Sequence, residues 1–474
     1  MSILKGLESI LEENLVPLHM PGHKGRPHLP KIMEGIHKID ITEIPGSDNL
    51  HYAQGMIMEA QKRAATIFGA QRTYFLVNGT TVGIQAMILS HCKPGDQLLV
   101  PRNCHRSVWS ALILGDIQPV YIPPETHPQT GIGLSVSPES VEECLRRHPH
   151  VKGALITYPT FYGTCSDIRA IADLLHREGK YLLVDEAHGA HFAFHGDLPM
   201  TALEGGGDMV AQSTHKLLSS FTQSSMLHVG HGEYSLDRLE LFLSMLQSSS
   251  PSYPLMASLE FAALEAEREG ARRWDQILEW NRHAYEKIRG FTPFRPLGKD
   301  LLGRYGVVDY DASRLLVDVS PLGLSGIQVD GILRRDYGIQ VELSDHHYIL
   351  AMTGMGTVEE DIQRFTTALI DIYNQNKGCP RKMLPSIPGI QGEPVLSPRD
   401  AMYAEEETID FCRSAGRISK EFIIPYPPGI PMVVPGEMLT KEIIDGVEEM
   451  VSQGGQIIGP HDPSLKDIVV VAEK

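Results

Sequence analysis

From Thr73 to Val229 the chain repeats one unit: a short apolar run, a turn, then a helical pattern. Apolar runs at Tyr74–Val77, Gln97–Val100, Pro119–Ile122, Ala154–Thr157, Tyr181–Val184, Met209–Gln212 and Met226–Val229 predict strands. Helical patterns at Thr81–Ser90, Ser107–Leu114, Glu139–Arg147 and Asp167–Glu178 lie between them. Strand–helix alternation of this kind calls for a mostly parallel sheet with helices on both faces. Ligands of such sheets bind in the crevice at the carboxyl ends of the strands. The residues that follow the strands are therefore the ones to read for chemistry.

A chain of 474 residues is too long for one core, so further domains are expected. A helical stretch from Pro254 to Arg289 leads into a second α/β pattern, with strands at Arg314–Val319 and Gln340–Leu343 and a helix at Val358–Gln375. The proline- and glycine-rich stretch Gly378–Arg399 reads as a linker. The expected division is 1–255 for an N-terminal segment and large domain, 256–378 for a smaller α/β domain, and 379–474 for linker and C-terminal domain.

A formal net charge of −17 argues against nucleic acid and anionic membranes as partners. The six cysteines (Cys92, Cys104, Cys144, Cys165, Cys379, Cys412) form no Cys-x-x-Cys pair, which leaves neither a disulfide framework nor zinc-site spacing. Ile3, Leu4, Leu7, Ile10 and Leu11 share a helical face among charged residues, which is an amphipathic helix and not a secretory signal. No stretch reaches the roughly 18 apolar residues of a membrane span. A cytoplasmic protein is expected.

Four strand ends carry the chemistry. The first strand runs into Asn78-Gly79-Thr80-Thr81, where glycine, hydroxyls and a helix N-terminus suit a phosphate, although the same residues also serve as ordinary helix caps. The second leads to His105, a flat imidazole placed to stack on an aromatic ligand or to contact solvent. The third ends in Asp185-Glu186-Ala187-His188. An acid there needs a cationic or hydrogen-bonding partner, such as a protonated pyridine nitrogen, and the small Ala187 leaves room for a flat ring. The fourth leads to Ser213-Thr214-His215-Lys216. A lysine behind small polar residues, once desolvated, becomes a nucleophile toward aldehydes. His188 and His191 near Asp185 and Glu186 lack the His-Glu-x-x-His order and a third ligand, so no metal is expected.

These residues resemble the fold-type I pyridoxal-phosphate enzymes. The chain is similar, more specifically, to the bacterial ornithine/lysine/arginine decarboxylase family. Supporting stretches are Leu18-His19-Met20-Pro21-Gly22-His23-Lys24-Gly25, Ile44 to His51, Pro101 to Ser107, and Tyr426-Pro427-Pro428-Gly429-Ile430-Pro431 with Pro435-Gly436-Glu437. The resemblance implies an α/β large domain with a mostly parallel seven-stranded sheet, a smaller α/β domain and a C-terminal decarboxylase domain. It implies pyridoxal 5'-phosphate held by Lys216 as a Schiff base, with Asp185 on the pyridine nitrogen. It puts His105 on one ring face and Ala187 on the other, and Gly79, Thr80, Thr81, Ser213 and His215 around the phosphate. His188 would sit near ring and substrate. The family's homodimers or larger homo-oligomers share active sites, so Ser248 to Tyr253 would reach a neighbour's phosphate. The motif beginning by residue 19 fits the short Gram-positive type without an N-terminal wing domain. Phe161 stands where many members carry tyrosine, so no hydroxyl role transfers.

The implied reaction is α-decarboxylation of a basic amino acid, in polyamine synthesis or acid resistance with the short form leaning to the former, and with arginine slightly ahead of lysine and ornithine because guanidinium rewards a bidentate carboxylate. Candidate acids for the substrate's distal cation are Glu437, favoured because it follows a Pro-Gly turn, and Asp48, Glu342 and Asp345. Open alternatives are an aminotransferase, an aldolase-type lyase, or a non-catalytic regulatory relative. No Gly-x-Gly-x-x-Gly follows the first strand to support a nicotinamide enzyme.

Overall fold

The computed structural model describes residues 15–18, 30–36, 39–44, 47–128, 132–377, 392–426, 430–452 and 455–473. The amphipathic N-terminal segment, the whole His-Met-Pro-Gly-His-Lys motif, Pro45-Gly46 and Pro427 to Gly429 lie outside them.

A first strand, β1 (Val16–Leu18), precedes helix α1 (Met56–Phe68). The alternating region follows as β2 (Arg72–Leu76), α2 (Gly79–His91), β3 (Gln97–Pro101), α3 (Arg106–Gly115), β4 (Gln118–Ile122), α4 (Pro138–Arg147), β5 (Gly153–Thr157), α5 (Ile168–Arg177), β6 (Tyr181–Asp185), β7 (Met209–Gln212) and β8 (Ser225–Val229). These strands form one seven-stranded sheet in the order β2-β8-β7-β6-β5-β3-β4. All lie parallel except β8, which runs antiparallel to both its neighbours. All seven expected strands are present, shifted by at most a residue or two at their ends.

Alternate residues of each strand enter different cores. Leu99, Ile156, Val184 and Val210 pack with α1, α4 and α5, while Leu98, Leu155, Leu183 and Ala211 pack with α2 and α3. Helix α2 is apolar nearly all round because it is clasped between sheet and neighbouring helices. Gly83 permits this: a Cβ there would meet Leu76 Cδ1 at 2.8 Å.

Helices α6 (Asp237–Leu246) and α7 (Tyr253–Phe291) follow; the 39-residue α7 spans the expected boundary at 255 and bridges two cores through Trp274 and Ile288. The small domain contains β9 (Arg295–Leu297), β10 (Arg314–Asp318), α8 (Gly326–Tyr337), β11 (Ile339–Val341), β12 (Leu343–Ser344), β13 (Tyr348–Met352) and α9 (Glu359–Asn376). Strands β9, β10, β13 and β12 form an antiparallel sheet in that order. The early strand β1 pairs in parallel with β11, so Val16 and Leu18 belong to the small domain's core. The C-terminal unit packs Phe411, Ile423, Val433, Ile443, Val447 and Ile468 into its own core. No described helix is long and apolar enough to cross a membrane.

Candidate active site

The carboxyl ends of β2, β3, β6 and β7 open onto one cleft of about 320 Å³. Its walls include Gly79, Thr80, Thr81, His105, Asp185, Ala187, His188, Ser213, His215 and Lys216, which brings together every cofactor-site residue named from the sequence.

One end is a hydroxyl cradle. Thr80 Oγ1 lies 2.5 Å from Ser213 Oγ and 2.8 Å from Ser225 Oγ. Gly79, at φ +73°, turns β2 directly into α2 while its N–H donates to Gln223 O at 2.9 Å. Asn78 makes no side-chain cap to α2, which favours an external anion at that N-terminus. His215 Nδ1 donates to Ser224 O at 2.7 Å, which fixes its ring at the same end.

Asp185 closes β6 and is 3% exposed. Burial raises its carboxyl pKa, against the pull of Lys216 and the Ala187 N–H that donates to Oδ1 at 3.2 Å. Because β6 ends at Asp185, Ala187 reaches the cleft through a turn and not through strand alternation. His105 caps α3, its Nδ1 accepting the Ser107 N–H at 3.2 Å. Its ring faces the open cleft, yet burial by the surrounding walls, with Lys216 and Arg106, pulls its pKa to about 4 and keeps it neutral.

Lys216 Nζ sits 2.7 Å from His188 Nε2. Burial lowers the lysine pKa to about 8, opposed by the charges of Asp185 and Glu342 and assisted by Arg314. The His188 ring is also wedged edge-on against Phe161, centroids 5.1 Å apart. These groups fit pyridoxal phosphate: an anion cradle, a buried acid with acceptor capacity to spare, a flat neutral imidazole and a desolvated amine occupy a single cleft.

The acids named for the substrate's distal cation separate. Glu437 is held by Arg102 in a buried ion pair, with Nε to Oε1 at 3.0 Å and Nη2 to Oε2 at 2.7 Å, and does not line the cleft. The position after a Pro-Gly turn thus serves domain docking. Asp48 accepts N–H bonds from Asn49, Gln54, Gly55 and Ile57 and orders its own loop. Asp345 accepts from the N–H groups of His347 and Tyr348. Glu342 does not line the cleft either, but it is the one of the four whose charge is felt at Lys216. Ser248, Ser249 and Ser250 are exposed and away from this chain's cleft.

Sequence reading missed Arg314, which enters from β10 and donates through Nη2 to His188 Nδ1 at 3.1 Å. It also missed Ile430, by which the C-terminal domain contributes to the cleft wall. Arg314 carries no local signal, and Ile430, although part of the Tyr426 to Pro431 motif, could not be assigned to the cleft, since only the packing of domains brings them there.

The sheet order and the lysine and acid at its carboxyl edge define a fold-type I pyridoxal-phosphate enzyme. The model of the Orn/Lys/Arg decarboxylase major domain matches residues 3–305, and that of the family's C-terminal domain matches residues 379–452. An arginine decarboxylase of Bacillus anthracis is 38% identical over 98% of this chain and 95% of its own length. One from Bacillus subtilis is 37% identical over 99% and 97%. The lysine decarboxylase LdcF of Francisella novicida superposes with a TM-score of 0.77 at 19% identity, covering 100% of this chain and 84% of that one. The chain belongs to the Orn/Lys/Arg decarboxylase family, whose members are decarboxylases of basic amino acids.

Proposed function

We propose that this protein is an arginine decarboxylase in which Lys216 holds pyridoxal phosphate. The observation that carries the reading is the position of Lys216 Nζ, beside His188 and in one cleft with Asp185 and the Thr80–Ser213 cradle. Arginine is favoured over lysine and ornithine by the relatives named arginine decarboxylase at 37–40% identity.

When bound, pyridoxal phosphate supplies a conjugated sink for the electrons released as the Cα–carboxylate bond breaks. Lys216 Nζ would hold its aldehyde carbon and yield it to the substrate's amine. Thr80, Thr81, Ser213 and His215 would anchor the phosphate, and His105 and Ala187 would flank the ring. Asp185 would keep the pyridine nitrogen protonated, an electrostatic contribution set before the reaction begins. His188 Nε2 is placed to exchange a proton with Lys216 Nζ, and either group could return one to Cα. Glu342 would meet the substrate's distal cation. The exposed Ser248 to Ser250 segment supports an assembly in which it completes a neighbouring subunit's site.

The test is product analysis with arginine, lysine and ornithine side by side, with Lys216→Ala as control. Carbon dioxide and amine in equal amounts from arginine are expected. A keto acid without carbon dioxide would overturn the reading, and lysine or ornithine as preferred substrate would overturn the arginine assignment.

A further inference from the structure

His188 stands between two basic groups. Its Nε2 lies 2.7 Å from Lys216 Nζ, and its Nδ1 lies 3.1 Å from Arg314 Nη2, which also donates to His188 O at 3.2 Å. A guanidinium only donates and keeps its proton in proteins, so Nδ1 must present its lone pair. A neutral imidazole then carries its proton on Nε2. That proton points at Nζ, which can accept it only as a free amine. The alternative, an imidazolium, would be buried and flanked by two cations, and burial with Lys216 and Arg314 drives the His188 pKa far down.

Arg314 is itself held. It opens β10, is fully buried, and its Nε lies 3.4 Å from Asp311 Oδ2. Asp311 Oδ1 accepts the Ser313 N–H at 2.9 Å and meets His191 Nε2 at 3.1 Å. The His191 ring leans on Trp274 of α7, centroids 4.6 Å apart. A buried chain of groups thus runs from the small domain and the bridging helix to the lysine.

We infer that Arg314 is a positioning residue: it sets the tautomer of His188 and through it keeps Lys216 as the free amine, the form that attacks an aldehyde. The use of that amine rests on the cofactor reading; the tautomer does not. Other groups around the amine pull both ways. Asp185 and Glu342 favour its ammonium form, Arg314 opposes it, and His105 and His215 lie within the same electrostatic neighbourhood. Because Arg314 belongs to the small domain, lysine reactivity becomes tied to how that domain sits on the large one.

Competitive acetylation of Lys216 by acetic anhydride in the cofactor-free full chain, followed across pH by peptide mass spectrometry, tests this. Wild type should show a midpoint near 8. Arg314→Met should raise it by about one unit, and Arg314→Lys, which keeps a cationic donor, should restore it. Loss of the cation alone would also raise the midpoint, so the decisive comparison is a double-mutant cycle. Arg314→Met should move the midpoint much less in a His188→Phe background. An equal shift with and without the imidazole would show that Arg314 acts as a bare charge, and would overturn the inference, as would no shift at all. If Arg314→Met does not fold, His188→Phe decides alone: it must raise the midpoint, and an unchanged one refutes the relay. No cofactor enters these readings, so a failed cofactor assignment would leave them standing.

Discussion

Arg102 and Glu437 form a bidentate ion pair that is almost wholly removed from water and joins the end of β3 to the C-terminal domain, with exposures of 2% and 1%. Arg102 also donates to the carbonyls of Pro431 and Met432 at 2.7 and 3.0 Å, and Val434 N–H donates to Glu437 Oε2 at 2.9 Å. Burial raises the Glu437 pKa even with the guanidinium beside it, the sign of a pair whose desolvation outweighs its attraction. Removing one partner, as in Glu437→Met or Arg102→Met, should cost about 3–5 kcal/mol, while removing both should recover much of that loss. Urea unfolding of the three variants measures this. Independent, additive losses would contradict it.

Among the described residues, Asp185 is the one carboxylate that lines the cleft, and it is almost wholly buried. Asp185→Asn keeps its shape and removes its charge. We expect kcat to fall by about 10²–10³-fold with a small change in KM, the mark of an interaction made chiefly in the transition state. Steady-state kinetics decides, and a pure KM effect would move Asp185 from ring partner to substrate contact.

Glu342 is proposed for the substrate's distal cation. Glu342→Gln should raise KM for arginine about tenfold and leave kcat close to wild type, since the guanidinium takes no part in bond breaking. Glu437→Met, measured at a temperature where it stays folded, should not show that pattern. Unaltered KM in Glu342→Gln would remove it from the pocket.

His228 lies within β8, its ring turned toward Phe68 of α1, where Nδ1 meets Thr73 Oγ1 at 2.7 Å and Nε2 donates to Gln212 Oε1 at 3.0 Å. Burial depresses its pKa from 6.5 to about 3. A base with a depressed folded pKa contributes stability that is present above the unfolded value and lost as pH falls through the window. Wild type should therefore lose stability from pH 6.5 toward 3 more steeply than His228→Gln, by about one proton's worth of slope. Urea midpoints across that range test it, and parallel slopes would contradict it.

The large domain was readable because each strand is a short apolar run ending in a polar cluster, and strand ends of a parallel sheet share an edge. Asp185 and Lys216 could be placed in one cleft on that rule alone. Arg314 could not. It opens an ordinary strand, and its reach to His188 depends on how the small domain is set against the large one. Glu437 was misjudged for the same reason. A carboxylate after Pro-Gly reads alike whether it meets substrate or Arg102, and the guanidinium that claims it lies far away in sequence. Helix α8 also went unread, its apolar residues being spread over too few turns to announce a period. Strand β13 was passed over although Tyr348 to Met352 is as continuous an apolar run as those of the large domain.

The pairing of β1 with β11 makes the large domain an insertion within the small one. The chain leaves the small domain after Leu18 and re-enters it along α7. During synthesis Val16 and Leu18 must wait for Ile339 to emerge before they find their sheet, so the small domain completes late, after the domain it encloses. In the finished protein two separate covalent crossings join the domains. Between those crossings Asp309–Tyr310 pairs with Cys165–Thr164 of the large domain, so the backbone leading to Arg314 is anchored to the body that carries Lys216.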